Sequence, residues 1–291
     1  MKAVLLLALA ALLIGCTGEA KHDVLTPDVI MVGVLPDQSA EQLVEKYTPL
    51  VDYLVDQTSL DIELVVPKDY ESMLDDFSSH RVHVANFGGF TFTEAEHRDN
   101  AEPLVMRDVD LRFTSCYLVS SADTRNTIEE FQGESFSFGP RLSTSGHLMP
   151  RYFLEAQGLN PDTFFASVRH SSGHDETATL VRNGDIVVGV ANCVIVESMF
   201  LDGRLGQGEV RILETTPAYA DYVWAVNEEL DPAIKTRLRD AFMDLDPTLP
   251  EHQEILRSLG AHAYLPASRS DFDEVRRAVR TNNDSGTLND E

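Results

Sequence analysis

Apolar residues along the chain fall into two alternating rhythms: short unbroken runs, and longer stretches with helical spacing. Val29 to Val34 (VIMVGV) is a continuous apolar run, the pattern of a strand buried on both faces. From Ser39 onward Leu43, Tyr47, Leu50, Val51, Leu54 and Val55 recur every three to four positions, which predicts an amphipathic helix kinked at Pro49. Ile62 to Val66 reads as a second strand, and Asp69 to Ser79 as a second helix carrying Tyr70, Met73, Leu74 and Phe77 inward. Val82 to Phe87 reads as a third strand, ending at Gly88-Gly89. Strand and helix in alternation predict a parallel sheet with crossover helices.

The rhythm then repeats. Arg112 to Ser120 is a long strand-like stretch; Ser135 to Phe138, Ile186 to Ala191 and Glu209 to Leu213 are shorter ones. Helices are predicted over His147 to Gln157 and Glu176 to Asn183. A further strand is expected at Asp221 to Val226, and the remainder, from Ala233, is helical. Two α/β cycles with two long strands between them imply two lobes on a hinge, with a cleft suited to a small ligand. The expected division is residues 28–114 with 223–280 as the first lobe, 115–222 as the second, and 281–291 as a disordered tail without apolar content.

The N-terminus departs from both rhythms. A single Lys2 precedes an apolar stretch from Ala3 to Gly15, long enough for a leader and too short to span a bilayer. It ends in Leu13-Ile14-Gly15-Cys16, which resembles the bacterial lipobox; an ordinary leader beside an incidental cysteine is the alternative. Residues 1–15 are thus expected to be a lipoprotein signal peptide. Cys16 would be the lipid attachment site, with 16–27 a flexible tether, and the rest exported and anchored to the membrane. With 23 basic against 48 acidic residues, the chain carries a formal −25, which excludes nucleic acid and anionic membrane surfaces as partners. It does not exclude an anionic ligand, because backbone amides and hydroxyls can build an anion site without cations. Cys116 and Cys193 are equally compatible with a disulfide and with two buried thiols; there is no metal-type cysteine spacing, and no cofactor or metal is expected.

Candidate chemistry concentrates in three segments. In Ser137-Phe-Gly-Pro-Arg-Leu-Ser-Thr-Ser-Gly-His147 a strand ends at Gly139, and Ser143, Thr144 and Ser145 open a helix. Three hydroxyls and the unpaired amides of a first turn can converge on a tetrahedral oxyanion, although a plain N-cap uses the same residues. His174, in Ser-Ser-Gly-His-Asp, stands at the next helix start as a further donor or a simple cap. Tyr219, Asp221 and Tyr222 bring a carboxylate and two phenols before the second hinge strand; a packed aromatic turn with a solvated aspartate is the plainer alternative.

Taken together, these segments resemble the phosphonate-, phosphite- and phosphate-type substrate-binding proteins of ABC transporters, which have the type II periplasmic-binding-protein fold. The matching pieces run in order from Val29 to Leu265: GVLP, PLVDYL, KDYESML, VANFGGFTFTEA, SFGPRLSTSG, SSGHDETA, VGVANC and TPAYADYVW. The resemblance implies a non-enzymatic protein that captures a small phosphorus oxyanion between its lobes and hands it to ABC permease subunits, working as a monomer. It implies that Ser143, Thr144 and Ser145 hold the oxyanion, that His174 donates to it and that Tyr70 reaches it from the first lobe. Asp221, with Tyr219 or Tyr222 beside it, would accept from a protonated ligand oxygen; Gly88 and Asn192 complete the candidate set. Two positions depart from the family pattern. Phe92 replaces a phenol, and Asn192-Cys193 is neutral where relatives that bind aminoalkylphosphonates carry a carboxylate. Glu197 is close in sequence but on a helix of unassigned orientation. These changes favour phosphite, methylphosphonate or phosphate over aminoethylphosphonate. Three alternatives are a sensory binding protein serving a histidine kinase or chemoreceptor, an exported hydrolase using Ser145, His174 and Asp175, and a metal-binding protein using Tyr219 and Tyr222. The hydrolase lacks a nucleophile elbow.

Overall fold

A computed structural model describes residues 24–206 and 208–284. The leader, Cys16 and most of the expected tether lie outside the described residues. The chain enters the first sheet as β1 (Ile30–Val34), crosses over through α1 (Ala40–Thr58) to β2 (Ile62–Val65), and returns through α2 (Tyr70–Ser78) to β3 (Val84–Phe87). Both neighbours of β1 are parallel to it, in registers Val32↔Leu64 and Val32↔Val84. α1 runs unbroken through Pro49, because the proline sits on the exposed side, where the carbonyl left without a partner faces water.

Next come α3 (Gly89–Asp99), β4 (Glu102–Arg107) and a first crossing into the second lobe. That lobe holds β5 (Ser115–Ser120), β6 (Ser135–Phe138), a π-helical turn (Thr144–Leu148) leading directly into α4 (Met149–Ala156), and α5 (Pro161–Phe164). It continues through β7 (Ser167–His170), α6 (His174–Asn183), β8 (Val188–Asn192), α7 (Cys193–Leu201) and β9 (Val210–Thr215). The chain then crosses back to β10 (Val223–Val226), α8 (Pro232–Met243), α9 (Pro250–Ser258), β11 (Tyr264–Pro266) and α10 (Asp273–Asp284). The first sheet is ordered β11-β4-β10-β3-β1-β2 and the second β7-β6-β8-β5-β9.

Both sheets are mixed, less parallel than strict βαβ alternation predicts. β10 runs antiparallel between β3 and β4, and β5 antiparallel between β8 and β9. These four pairings follow from the two crossings, since each returning strand enters its sheet against the direction of its neighbours. The crossings lie side by side: Phe113 and Tyr219 exchange both backbone hydrogen bonds, and Asp221 N–H donates to the carbonyl of Asp110 (3.0 Å). Behind this ladder Arg107 forms a buried bidentate pair with Asp110 (2.6 and 2.8 Å) and donates to the carbonyl of Leu259.

Leu43, Leu50, Leu54, Trp224, Phe242 and Leu256 form the core on one face of the first sheet. The core on its other face, built on Met73, Phe77, Phe87 and Phe92, continues to Leu148, Met149 and Tyr219 in the crossing region. Cys116 and Cys193 are bonded, tying β5 to the start of α7 with Cα atoms 5.1 Å apart. Two boundary expectations are corrected. Leu25, inside the expected tether, lies opposite Leu230 in a parallel bridge: its N–H donates to the carbonyl of Glu229 (2.7 Å) and its carbonyl accepts from Asp231 N–H (2.9 Å). Residues 281–284, assigned to a disordered tail, are the last turn of α10, which packs on both α3 and α4.

Candidate functional site

The residues singled out from the sequence meet where the crossings pass between the two sheets. Ser143 caps the π-helical turn, its hydroxyl accepting from Gly146 N–H (2.9 Å). A Cβ on Gly146 would lie 2.9 Å from His174 and 3.0 Å from Gly139, so glycine here lets the turn press against the strand end and the histidine. His147 supports the turn from behind: its Nδ1 bonds the carbonyl of Arg141 (2.6 Å) and its Nε2 accepts from Arg151. By position, the first amides of such a turn have no acceptor of their own.

The first lobe meets this turn with the start of α3. Phe90 N–H donates to Thr144 Oγ1 (2.9 Å), and Gly89 N–H to Asp221 Oδ1 (3.0 Å). A Cβ on Gly88 would lie 2.9 Å from Thr144 Oγ1 and 3.2 Å from Asp221 Oδ1, so the approach of the lobes at this point requires a residue without a side chain. Sequence reading misses α3, because Gly-Phe-Thr-Phe-Thr alternates like a strand and opens with two helix-disfavouring glycines.

Asp221 is fully buried. Burial pushes its carboxyl up from 3.8 to about 7, against the pull of the Gly89 amide and the Thr144 and Ser145 hydroxyls, with Asp110 adding to the rise. Three buried oxygens around it form no hydrogen bond: Asp221 Oδ2, Ser145 Oγ and Asp37 Oδ1. Ser145 is nonetheless close enough to Asp221 and Tyr219 to favour their ionised forms, so it lies beside both without completing a bond to either. Unpaired buried oxygens are uncommon and costly, and an unmet hydroxyl beside an unmet carboxyl oxygen matches the needs of an oxyanion that still bears a proton.

His174 is held within its own lobe by two hydrogen-bond partners. Its Nδ1 accepts Asn192 N–H (3.1 Å), which places the proton on Nε2, 3.3 Å from Ser143 Oγ. Burial holds its pKa down at about 4, so the ring is neutral. The imidazole N–H is therefore directed at Ser143, whose hydroxyl also lies beside Tyr70. Asn192 is likewise occupied: Oδ1 caps α7 at Ile195 N–H and Nδ2 donates to Tyr222 Oη (3.2 Å). Tyr222 donates to Asp37 Oδ2 (2.6 Å) and lies under the Arg107 guanidinium, while Tyr219 pairs with Ser115 Oγ (2.6 Å). Tyr70, the first residue of α2, is buried beside Ser143 in the field of both Asp37 and Asp221. Phe92 packs on Phe272, away from polar partners.

Sequence reading also missed Asp37. It sits in a polar loop that looks like a solvated turn, yet it is buried, and its carbonyl accepts His174 N–H (3.0 Å) from the opposite lobe. The hydrolase arrangement is not assembled: Ser145 Oγ has no bond to His174, whose Nδ1 faces an amide and not a carboxylate, and Asp175 accepts from Glu176 N–H. The tyrosines proposed as metal ligands are those already bonded to Ser115, Asn192 and Asp37.

Residues 32–272 match the family model for the periplasmic phosphonate substrate-binding protein of ABC transporters. Among curated proteins, the chain is 26% identical over 266 residues to a probable ABC transporter phosphite-binding protein of Prochlorococcus marinus, covering 87% of this chain and 90% of that protein. It is 26% identical over 293 residues to a phosphate-import protein of Mycolicibacterium smegmatis, covering 92% and 91%. Among solved structures, a Prochlorococcus marinus protein in complex with methylphosphonate superposes with a TM-score of 0.83 at 24% identity, covering 89% of this chain and 99% of that one.

Proposed function

Because the chain belongs to the family of periplasmic substrate-binding proteins of phosphonate ABC transporters, we propose that it captures a small phosphorus oxyanion (phosphite, methylphosphonate or a related phosphonate, or phosphate) between its lobes and delivers it to an ABC importer outside the cytoplasm. The observation that carries this reading is the pairing of the Ser143-Thr144-Ser145 turn with Asp221, whose unpaired oxygen and raised pKa leave it ready to share one proton with a ligand. Ser143, Ser145 and the first amides of the turn hold the oxygens. Tyr70 closes from the first lobe, and Tyr219, Tyr222, His174 and Asn192 fix the geometry. Thr144 and Gly88 form the contact on which the lobes shut. Above about pH 7, where Asp221 is ionised, a ligand lacking a proton, such as sulfate, sets an unshared oxygen lone pair against it and is rejected.

In this reading the first lobe is 25–114 with 223–284 and the second is 115–222, turning on the paired crossings, with the closed form presented to the permease. The protein acts as a monomer without catalysis, held at the membrane by lipid on Cys16. The test is calorimetry on the full chain in mild detergent, unfolded and refolded to strip carried-over ligand, against phosphite, methylphosphonate, phosphate and sulfate. The expected result is tight binding of at least one phosphorus oxyanion and none of sulfate, weakened at least about tenfold in Ser145→Ala. A folded protein silent to all of them would reduce the serine turn to a helix cap.

A further inference from the structure

The site contains a second buried carboxylate that the capture of an oxyanion does not use. Asp37 follows β1, and it ties the lobes together twice: its carbonyl accepts His174 N–H, and its Oδ2 accepts the Tyr222 hydroxyl. Neither bond involves Oδ1, which is buried without a partner. Lys46 of α1 is within Coulomb range of Asp37 but gives Oδ1 no hydrogen bond. Tyr222 bonds Asp37 directly, and Tyr70 and Tyr222 both lie within Coulomb range of Asp37 and Asp221. A carboxylate can only accept, and an unmet acceptor in a closed interior calls for a donor.

We propose that Asp37 is a specificity-determining residue, and that the ligand best suited to this protein is a phosphonate whose carbon substituent carries an N–H or O–H donor. The proposal rests on the phosphorus-oxyanion reading above. With the phosphonate group on the serine turn and Asp221, the substituent extends toward Tyr70, Tyr222 and Asp37, and an ammonium or hydroxyl on it satisfies Oδ1. The neutral Asn192-Cys193 stretch, which argued against an amine, is answered by a carboxylate supplied from the other lobe. A purely apolar substituent would leave Oδ1 unmet.

Binding of methylphosphonate, hydroxymethylphosphonate and aminomethylphosphonate to the ligand-stripped full chain tests this, in the wild type, Asp37→Asn and Tyr222→Phe. In Asp37→Asn the amide oxygen still accepts from Tyr222, while an amide NH2 takes the place of the unmet acceptor and meets the ligand donor with a donor. The wild type should prefer one or both donor-bearing ligands over methylphosphonate by about tenfold or more. Asp37→Asn should erase that preference while holding methylphosphonate to within about threefold; Tyr222→Phe, which leaves Oδ1 in place, should keep it. Preference for the amine alone identifies an ammonium partner, and equal preference for both a neutral donor. Equal affinity for all three ligands in the wild type, or a uniform loss in Asp37→Asn, overturns the proposal and leaves Asp37 as a latch. Failure to bind any of the three while phosphite or phosphate still binds overturns this proposal alone; silence to those two as well overturns the oxyanion reading with it.

Discussion

Asp221→Asn separates what this carboxylate contributes to binding from what it costs the fold. In the folded chain its pKa rises from 3.8 to about 7, chiefly because burial disfavours the charged form. A raised folded-state pKa means that folding favours the protonated acid. The stability this provides is complete below the unfolded value, falls as pH climbs, and is gone above about 7. At ~1.4 kcal/mol per pH unit, the wild type should lose roughly 4 kcal/mol from this one group between about pH 4 and pH 7. Asparagine cannot ionise, and its amide oxygen can still accept the Gly89 N–H.

Urea denaturation of the ligand-free wild type and Asp221→Asn, at fixed ionic strength from pH 4 to pH 8.5, isolates the effect. The large background from the other acidic groups is common to both proteins and cancels in the difference. Stability of the variant relative to the wild type should climb by roughly 4 kcal/mol over that interval and then level off, while affinity for phosphorus oxyanions is lost. Parallel pH profiles would refute the reasoning. They would mean that Asp221 titrates as an ordinary carboxyl, so that the unpaired oxygen is met by solvent and cannot hold a proton for a ligand.

Two further outcomes follow from the same geometry. Gly88→Ala, at a backbone angle that any residue adopts, places a methyl 2.9 Å from Thr144 Oγ1 across the lobe junction. Each lobe should keep its stability while calorimetric ligand affinity falls about tenfold or more. Replacing Cys116 and Cys193 by alanine opens a link spanning 77 residues, and should cost about 2–4 kcal/mol in urea. A reducing agent should impose the same loss on the wild type and none on the variant.

Much of the fold was legible because periodicity reports what it buries. The run VIMVGV and the spacing of Leu43, Tyr47, Leu50 and Leu54 carry β1 and α1 with little ambiguity. The same signal fails at α3, which is buried on nearly every side of its first two turns and therefore shows no polar face to define a period. β7 and β11 are edge strands of four and three residues, too short to show alternation against their polar neighbours. At the site, Ser143 to Ser145, His174 and Asp221 were visible as residue types in the right order, and the fold brings them together. Their division of labour was not visible. That His174 serves Ser143 depends on an amide eighteen positions away in sequence, and the burial of Asp37 depends on a contact made by the opposite lobe.

The charge of the chain explains the form of its proposed site. At a formal −25, a pocket that recruited lysine or arginine would gain attraction for every small anion alike. The cation closest in role, Arg107, is instead paired with Asp110 and lies over the ring of Tyr222, facing the hinge. What the proposed site offers a ligand is a set of hydroxyls and amides together with two carboxylates that retain unpaired oxygens. Hydroxyls and amides bind oxyanions without distinguishing phosphorus from sulfur, so discrimination falls to the carboxylates, and in its ionised form a carboxylate in a closed interior accepts only a ligand that arrives with hydrogen. In the proposed reading Asp221 senses a proton on the oxyanion and Asp37 a donor on the substituent. The quantity this site measures is therefore how many hydrogens the anion brings, and its overall negative charge is the background against which that reading becomes selective.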